Sequence, residues 1–245
     1  MRALLPMVIV GGLLLAGCSS GDKGEPAAPV AAGPGAATGA PASAAASSLG
    51  VDDLDQDGTP DPDCGQQDFG AGLVLRIPCT IPNPNDPDDG TRLVKDSLYR
   101  LPSYDADLTG ISGSLVTARA TDGKRVVIFV FNSDNLFATG SDRLGDNNTL
   151  DPVVALINAK FAGGAIQVRG HTDKTGTASN NQALSERRAA TVRDYLTGHG
   201  VKAGQVSAAG LGSSQPLVEE TNPDGSPSLA GRAFNRRVEL AIRLP

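Results

Sequence analysis

The strongest pattern lies in the C-terminal half of the chain, from about Leu115 to Pro245. Residues 115–121 and 124–131 are rich in apolar side chains and flank Asp122-Gly123, which predicts two strands joined by a two-residue hairpin turn. Leu150, Val153, Val154, Ile157 and Phe161 recur at helical spacing, with Thr149 or Asp151 placed to cap and Pro152 in the first turn. Ala165–Gly170 reads as a short strand. Residues 184–196 read as a second helix, with Leu184, Ala189, Val192 and Leu196 on or near one face and Gly198 and Gly200 to stop it. Residues 206–210 form another strand. In the last strand Val238, Leu240 and Ile242 alternate with Glu239, Ala241 and Arg243. The order β-β-α-β-α-β-(α)-β predicts an α/β (α+β) two-layer sandwich with a mixed sheet. About 130 residues are enough for one core.

The N-terminal half is patterned differently. Met1-Arg2 is followed by an apolar run from Ala3 to Leu15 and then Ala16-Gly17-Cys18. A charged start, a short apolar stretch and small residues before a cut site describe a secretory signal, residues 1–17. The apolar run is too short for a mature membrane span, which needs about 20 residues. A cysteine after Leu-Ala-Gly has the form of a lipobox, implying cleavage before Cys18 and acylation of its thiol; the competing reading is an ordinary signal peptide. Acyl chains anchor by about 0.8 kcal/mol per buried CH₂. Ser19, which is not Asp, points to passage to the outer membrane, with the protein facing the periplasm. Residues 18–48 are Ala, Pro, Gly and Ser with little apolar bulk, so they predict a disordered tether with a root-mean-square reach of roughly 30 Å.

Residues 49–113 are Asp-rich. Asp53, Asp55 and Asp57 alternate before Gly58, and Asp61 follows. Converging carboxylates and a turn glycine resemble a calcium loop, closer to a thrombospondin type-3 repeat than to an EF-hand, because the twelfth position is Cys64 and not Glu. The alternative is an acidic solvated turn without an ion. Cys64 and Cys79 lie in an exported segment, where a disulfide persists, and are expected to pair. The segment is too short for a transmembrane barrel, which takes at least eight strands of about nine to eleven residues.

Charge and histidine content narrow the chemistry. The net charge is −6, and −7 once Arg2 leaves with the signal. No basic patch is present to release counterions from a nucleic acid. His171 and His199 are the only histidines and lack ligand-type neighbours, so a zinc site is not expected.

The candidate site is the stretch Gly170-His171-Thr172-Asp173 with Asn181, Leu184-Ser185 and Arg187-Arg188-Ala189. It sets a carboxylate and a guanidinium fifteen residues apart, a pair suited to a zwitterion. Gly210-Leu211-Gly212, Pro216 and the run Gly231-Arg232-Ala233-Phe234-Asn235-Arg236-Arg237-Val238-Glu239 follow. With these four motifs in order, roughly the last half of the chain resembles the OmpA-like peptidoglycan-binding domain family, in a plan like that of the Pal-type lipoproteins. The resemblance implies a non-catalytic module that grips meso-diaminopimelate in the peptidoglycan stem peptide. Asp173 would take the ammonium and Arg188 the carboxylate, since a planar guanidinium fork binds a carboxylate by two parallel hydrogen bonds. Thr172, Asn181 and Leu184 would line the pocket, and the start of the helix would add free N–H groups. Asn235, Arg236 and Arg237 match the family's Asn-Arg-Arg, with one of the two arginines facing the site. Phe131, Asn132 and Asp134 occupy the place of another contact loop, where the match is poorer.

Three other readings compete. Asp173 and Arg188 could pair only with each other on the surface, worth less than about 1 kcal/mol. The protein could be a calcium-dependent scaffold or adhesion lipoprotein, or a wall-gripping accessory of a stator or secretion machine; a Tol-type partner follows only by analogy with Pal. Hydrolysis is not expected: His171 and Asp173, two apart on an extended chain, point the same way without touching, and no catalytic constellation with Ser185 results.

Overall fold

A computed structural model describes residues 62–79, 91–138, 140–145 and 149–245. The signal peptide, Cys18, the tether and Asp53, Asp55, Asp57 and Asp61 lie outside the described residues.

Seven strands form one mixed sheet in the order β1-β2-β3-β4-β7-β5-β6. They are β1 (Asp63–Asp68), β2 (Val74–Pro78), β3 (Ser114–Ala120), β4 (Arg125–Asn132), β5 (Ala165–Gly170), β6 (Gln205–Gly210) and β7 (Arg237–Arg243). Helices α1 (Ser133–Leu136) and α2 (Asp151–Lys160) follow β4, α3 (Ala178–Gly198) follows β5, and α4 (Leu229–Asn235) precedes β7. β5 and β6 are parallel, which a hairpin cannot join, so α3 provides the crossover. The last strand, β7, inserts between β4 and β5 antiparallel to both.

Both faces of the sheet are covered. On one face Val127, Phe129, Phe131, Ile166, Val168, Val238, Leu240 and Ile242 pack against Val153 and Ile157 of α2 and Ala189, Val192 and Leu196 of α3. On the other, Val116, Ala118, Val126, Ile128 and Val130 pack against Phe69, Leu75, Leu98, Leu101, Leu217 and Val218. This double burial explains why β4 reads Val-Val-Ile-Phe-Val-Phe without polar alternation. Each such side chain contributes about 1.5–3 kcal/mol by leaving water. The two-layer α/β arrangement with a mixed sheet is therefore present, and the segment before residue 114 is built into it. β1 and β2 extend the sheet from β3, and residues 93–101 roof its second face. Cys64 and Cys79 are disulfide-bonded across the β1–β2 hairpin, with Cα atoms 4.7 Å apart.

Three local features differ from the sequence pattern. The β3–β4 turn has a three-residue loop: Gly123 N–H donates to Ala120 C=O and Ala120 N–H to Lys124 C=O, with Gly123 at φ 83°. That is a turn followed by a left-handed residue, the usual three-residue hairpin. Helix α2 has Leu150 at its cap position without a side-chain capping bond, in place of Thr149 or Asp151. Helix α3 begins six residues before Leu184, capped by Thr177 Oγ1 on Asn180 N–H. Its first turns, Ala-Ser-Asn-Asn-Gln-Ala, carry no apolar stripe for periodicity to detect.

A charged cluster lies under the second face. Glu239 is 1% exposed and accepts from Arg169 Nε at 2.8 Å and Arg237 Nε at 2.8 Å. Arg169 also donates to the carbonyls of Phe69 and Gly70, and Gln167 to that of Ala71, so three consecutive carbonyls of the β1–β2 turn rest on β5. His171 Nε2 stands 3.3 Å from Glu239 Oε2 but lacks hydrogen-bond geometry. Burial first, and the Arg237 charge second, lower the His171 pKa to about 4. Between pH 6.5 and 4 the unfolded chain takes up a proton that the folded chain refuses. Stability from this residue is thus complete above pH 6.5 and falls by about 3 kcal/mol as pH drops through that window. Urea unfolding at pH 7, 5.5 and 4.5 should show this loss, and His171→Asn should flatten it; an unchanged slope in the variant would place the titration elsewhere.

Candidate functional site

The site forms where β5 ends and α3 passes behind it. Gly170 closes β5 against α3, and a Cβ there would lie 2.2 Å from Ser185 C=O. That contact seats the following loop, Thr172–Thr177, along the helix. Asn181 Nδ2 donates to Asp173 C=O at 3.1 Å, and Glu220 accepts Lys174 N–H with both oxygens at 3.1 and 3.0 Å. Asn181, Ser185 and Arg188 share the buried face of α3 at positions i, i+4 and i+7. Arg188 thus starts about 10 Å further along the axis than Asn181, and its side chain leans back toward the helix N-terminus.

Two charged groups emerge from this scaffold. Asp173 is 8% exposed; its Oδ1 accepts Thr175 N–H at 2.9 Å and its Oδ2 accepts Arg236 Nη1 at 2.8 Å. An ionised carboxylate has about four acceptor positions, and the Thr175 side chain takes a third, so about one remains open. Burial pushes this carboxyl up, but the bonds from Arg236 and Thr175 outweigh it and hold the pKa below the ordinary range. Arg188 is 4% exposed, with Nε on Ser141 C=O at 2.9 Å and its guanidinium 5.1 Å from the Phe137 ring centroid. Burial lowers its pKa, while Asp134, Asp142 and Asp173 act to raise it. Among the described residues Nη1 and Nη2 of Arg188 have no hydrogen-bond partner. The residue therefore presents the two-nitrogen edge that binds a carboxylate, already oriented by its third nitrogen.

Arg236 joins the site from the start of β7. It reaches both oxygens of Asp134 as well as Asp173, and these bonds raise its pKa despite partial burial. The simple Asp173–Arg188 pair is thus replaced by Asp173–Arg236–Asp134, which leaves Arg188 as a cation without a carboxylate partner among the described residues. Thr172 Oγ1 and Ser133 Oγ are buried without a partner beside these groups, polar atoms of the kind a ligand or water satisfies.

Several expectations need correcting. Arg237 does not face the site; it is 2% exposed and bound to Glu239 and to Gln215 C=O on the other side of the sheet. Asn235 is fully buried and fully used: it accepts from Leu217 and Val218 N–H and donates to Val218 C=O and Glu220. Its role is to hold residues 217–220 against α4. The start of α3 lies about 15 Å of helix axis from Arg188, too far for its free N–H groups to share one carboxylate. Leu184 is half-buried on α3 and joins neither apolar cluster. Among the described residues no group of three or more His, Cys, Asp or Glu could hold a metal, and the calcium candidates Asp53, Asp55, Asp57 and Asp61 lie outside them. Sequence reasoning missed Ser141, Phe137 and Glu220. Ser141 acts through its carbonyl, which no residue type advertises, and the acidic Glu220 was hidden in a polar loop.

Comparison with known proteins bears on this geometry. Residues 136–228 match the OmpA family model. The match includes Asp173 and Arg188 and stops short of Arg236. The chain is 47% identical over 76 residues to outer membrane porin F of Pseudomonas aeruginosa, which is 31% of this chain and 20% of that protein. It is 33% identical over 165 residues to outer membrane protein A of Yersinia pseudotuberculosis, covering 64% of this chain and 45% of the relative. The peptidoglycan-associated lipoprotein from Burkholderia pseudomallei superposes with a TM-score of 0.36 at 28% identity, over 44% of this chain and 87% of that one. The chain spans 12% to 49% of the length of the curated relatives it matches.

Proposed function

We propose that this protein is a non-enzymatic wall-binding module that holds peptidoglycan through the zwitterionic end of an uncrosslinked meso-diaminopimelate. The observation that carries the reading is the Nη1–Nη2 edge of Arg188, unbonded among the described residues and fixed by Ser141 C=O. Beside it Asp173 keeps an acceptor position for an ammonium. A cation and an anion that are both held rigid, yet not spent on each other, suit a ligand bearing both charges on one carbon. The OmpA family match over residues 136–228 and the outer-membrane relatives support the same reading.

The lipobox at Cys18 supplies the other end of the tether, with the acylated cysteine in the outer membrane and the folded part in the periplasm. Among the described residues no helix is long and apolar enough to cross a membrane. Co-sedimentation of the full chain, in detergent, with purified diaminopimelate-type sacculi tests the reading. The protein should pellet with the sacculi and be released by free meso-diaminopimelate. Pelleting unaffected by that competitor would move binding to another surface, and a failure to pellet would remove the wall as ligand.

A further inference from the structure

A cavity of about 330 Å³ opens on the second face of the sheet, next to the end of β4. Tyr99, Ser112, Ser114, Asn132 and Asn135, all before the OmpA match, and Phe234, after it, line the cavity. We propose that this cavity is a saccharide subsite that takes one N-acetylhexosamine ring of the glycan strand from which the bound stem peptide hangs. The inference rests on the wall-binding reading and extends it from peptide to sugar.

Its chemistry is the first argument. Tyr99 and Phe234 meet edge-on, with ring centroids 6.4 Å apart. Aromatic surface of this kind buries the C–H groups of a sugar, while neutral hydroxyl and amide groups meet its hydroxyls and acetamide. The side chains of Ser112 and Asn135 are exposed and form no hydrogen bond among the described residues. Arg237 also lines the cavity, but its guanidinium is committed to Glu239, Gln215 C=O and Asn235 C=O. The lining therefore suits an uncharged polar ring and offers no free charge to an ionic ligand. Its volume lies at the small end of the ~300–1,000 Å³ range of small-molecule pockets, enough for a single ring.

Placement is the second argument. Asn132 caps α1 and accepts Asp134 N–H at 2.7 Å, and Asp134 is tied through Arg236 to Asp173. The cavity thus connects to the charged site through the two residues from Asn132 to Asp134. In peptidoglycan the diaminopimelate is the third residue from the sugar, so one fragment of the polymer carries both groups. The proposal also gives Tyr99 and residues 112–114 a task, since they form one wall of the cavity.

Calorimetry on the full chain with three ligands tests this: the diaminopimelate-containing stem tripeptide, the same tripeptide carried on the N-acetylglucosaminyl-N-acetylmuramoyl disaccharide, and the disaccharide alone. The disaccharide should raise tripeptide affinity about tenfold, or 1.4 kcal/mol. Phe234→Ala and the exposed Asn135→Ala should each remove most of that gain while leaving tripeptide affinity as it was. Equal affinity for the two peptide ligands in the wild type, or a gain that survives both substitutions, overturns the proposal. If the tripeptide alone does not bind but the disaccharide does, in a Phe234-dependent way, the Asp173–Arg188 reading falls and the sugar subsite stands. No binding by any ligand overturns both.

Discussion

Arg188→Ala should weaken binding of meso-diaminopimelate at least ~100-fold, the affinity equivalent of 2.7 kcal/mol. Truncating one partner of a buried, hydrogen-bonded charge pair costs about 2–5 kcal/mol, because the other charge stays in place without its counterpart. At this site the ligand carboxylate would face Phe137 and the repelling carboxylates Asp134 and Asp173, with Arg236 already engaged by both of them. Arg188→Lys should recover only a small part of the loss. Lysine keeps the charge but loses both the planar fork and the Nε bond to Ser141 C=O that aims it. Thermal unfolding must accompany the titration, since the aliphatic stem of Arg188 is buried and its head packs on Phe137. Wild-type affinity in a folded Arg188→Ala variant would reassign the carboxylate to Arg236. Asp173→Asn gives the complementary reading: it should lower affinity for the ammonium end and release Arg236 to Asp134 alone.

Much of this site was legible because its chemistry is concentrated in side chains. Asp173 and Arg188 stand out by type, and the strand before one and the helix under the other follow from periodicity. The choice between Arg236 and Arg237 was open in the motif but is implicit in strand parity. Val238, Leu240 and Ile242 face the helices, so Arg237 shares the other face with Glu239, and Arg236 precedes the strand. Other features leave no mark on residue type. The start of α3 is polar because that turn packs through Asn181 and not through an apolar stripe. The carbonyl of Ser141 orients Arg188 from 47 residues away. The roofing of the second face by residues 93–101 depends on short apolar fragments, each too brief to show a period. Only the unbroken apolar run of β4 hints that this face is covered.

The largest effect on stability should come from Glu239→Gln, at about 3–5 kcal/mol. Glu239 is the only anion between two buried guanidiniums, and among the described residues it balances Arg169 and Arg237 with His171 beside them. Burial alone would push its carboxyl up; His171 and the two arginines reverse this and hold it well below the ordinary value. Glutamine keeps the shape but removes the charge, so two cations then repel each other in a medium that screens weakly. At 2–4 °C per kcal/mol for a domain of this size, the midpoint should fall by roughly 10 °C. Arg169→Met separates the two contributions. It leaves Glu239 paired with Arg237 and removes the donors that hold the carbonyls of Phe69 and Gly70. The expected result is a smaller global loss with faster amide exchange in the β1–β2 turn, and unchanged meso-diaminopimelate affinity. If Glu239→Gln costs under 1 kcal/mol, the cluster is solvated and the first strands are held by apolar contacts alone. If it costs the full amount and a chain starting at residue 114 also fails to fold, the N-terminal hairpin is part of the domain, supplying the carbonyls that two buried arginines require.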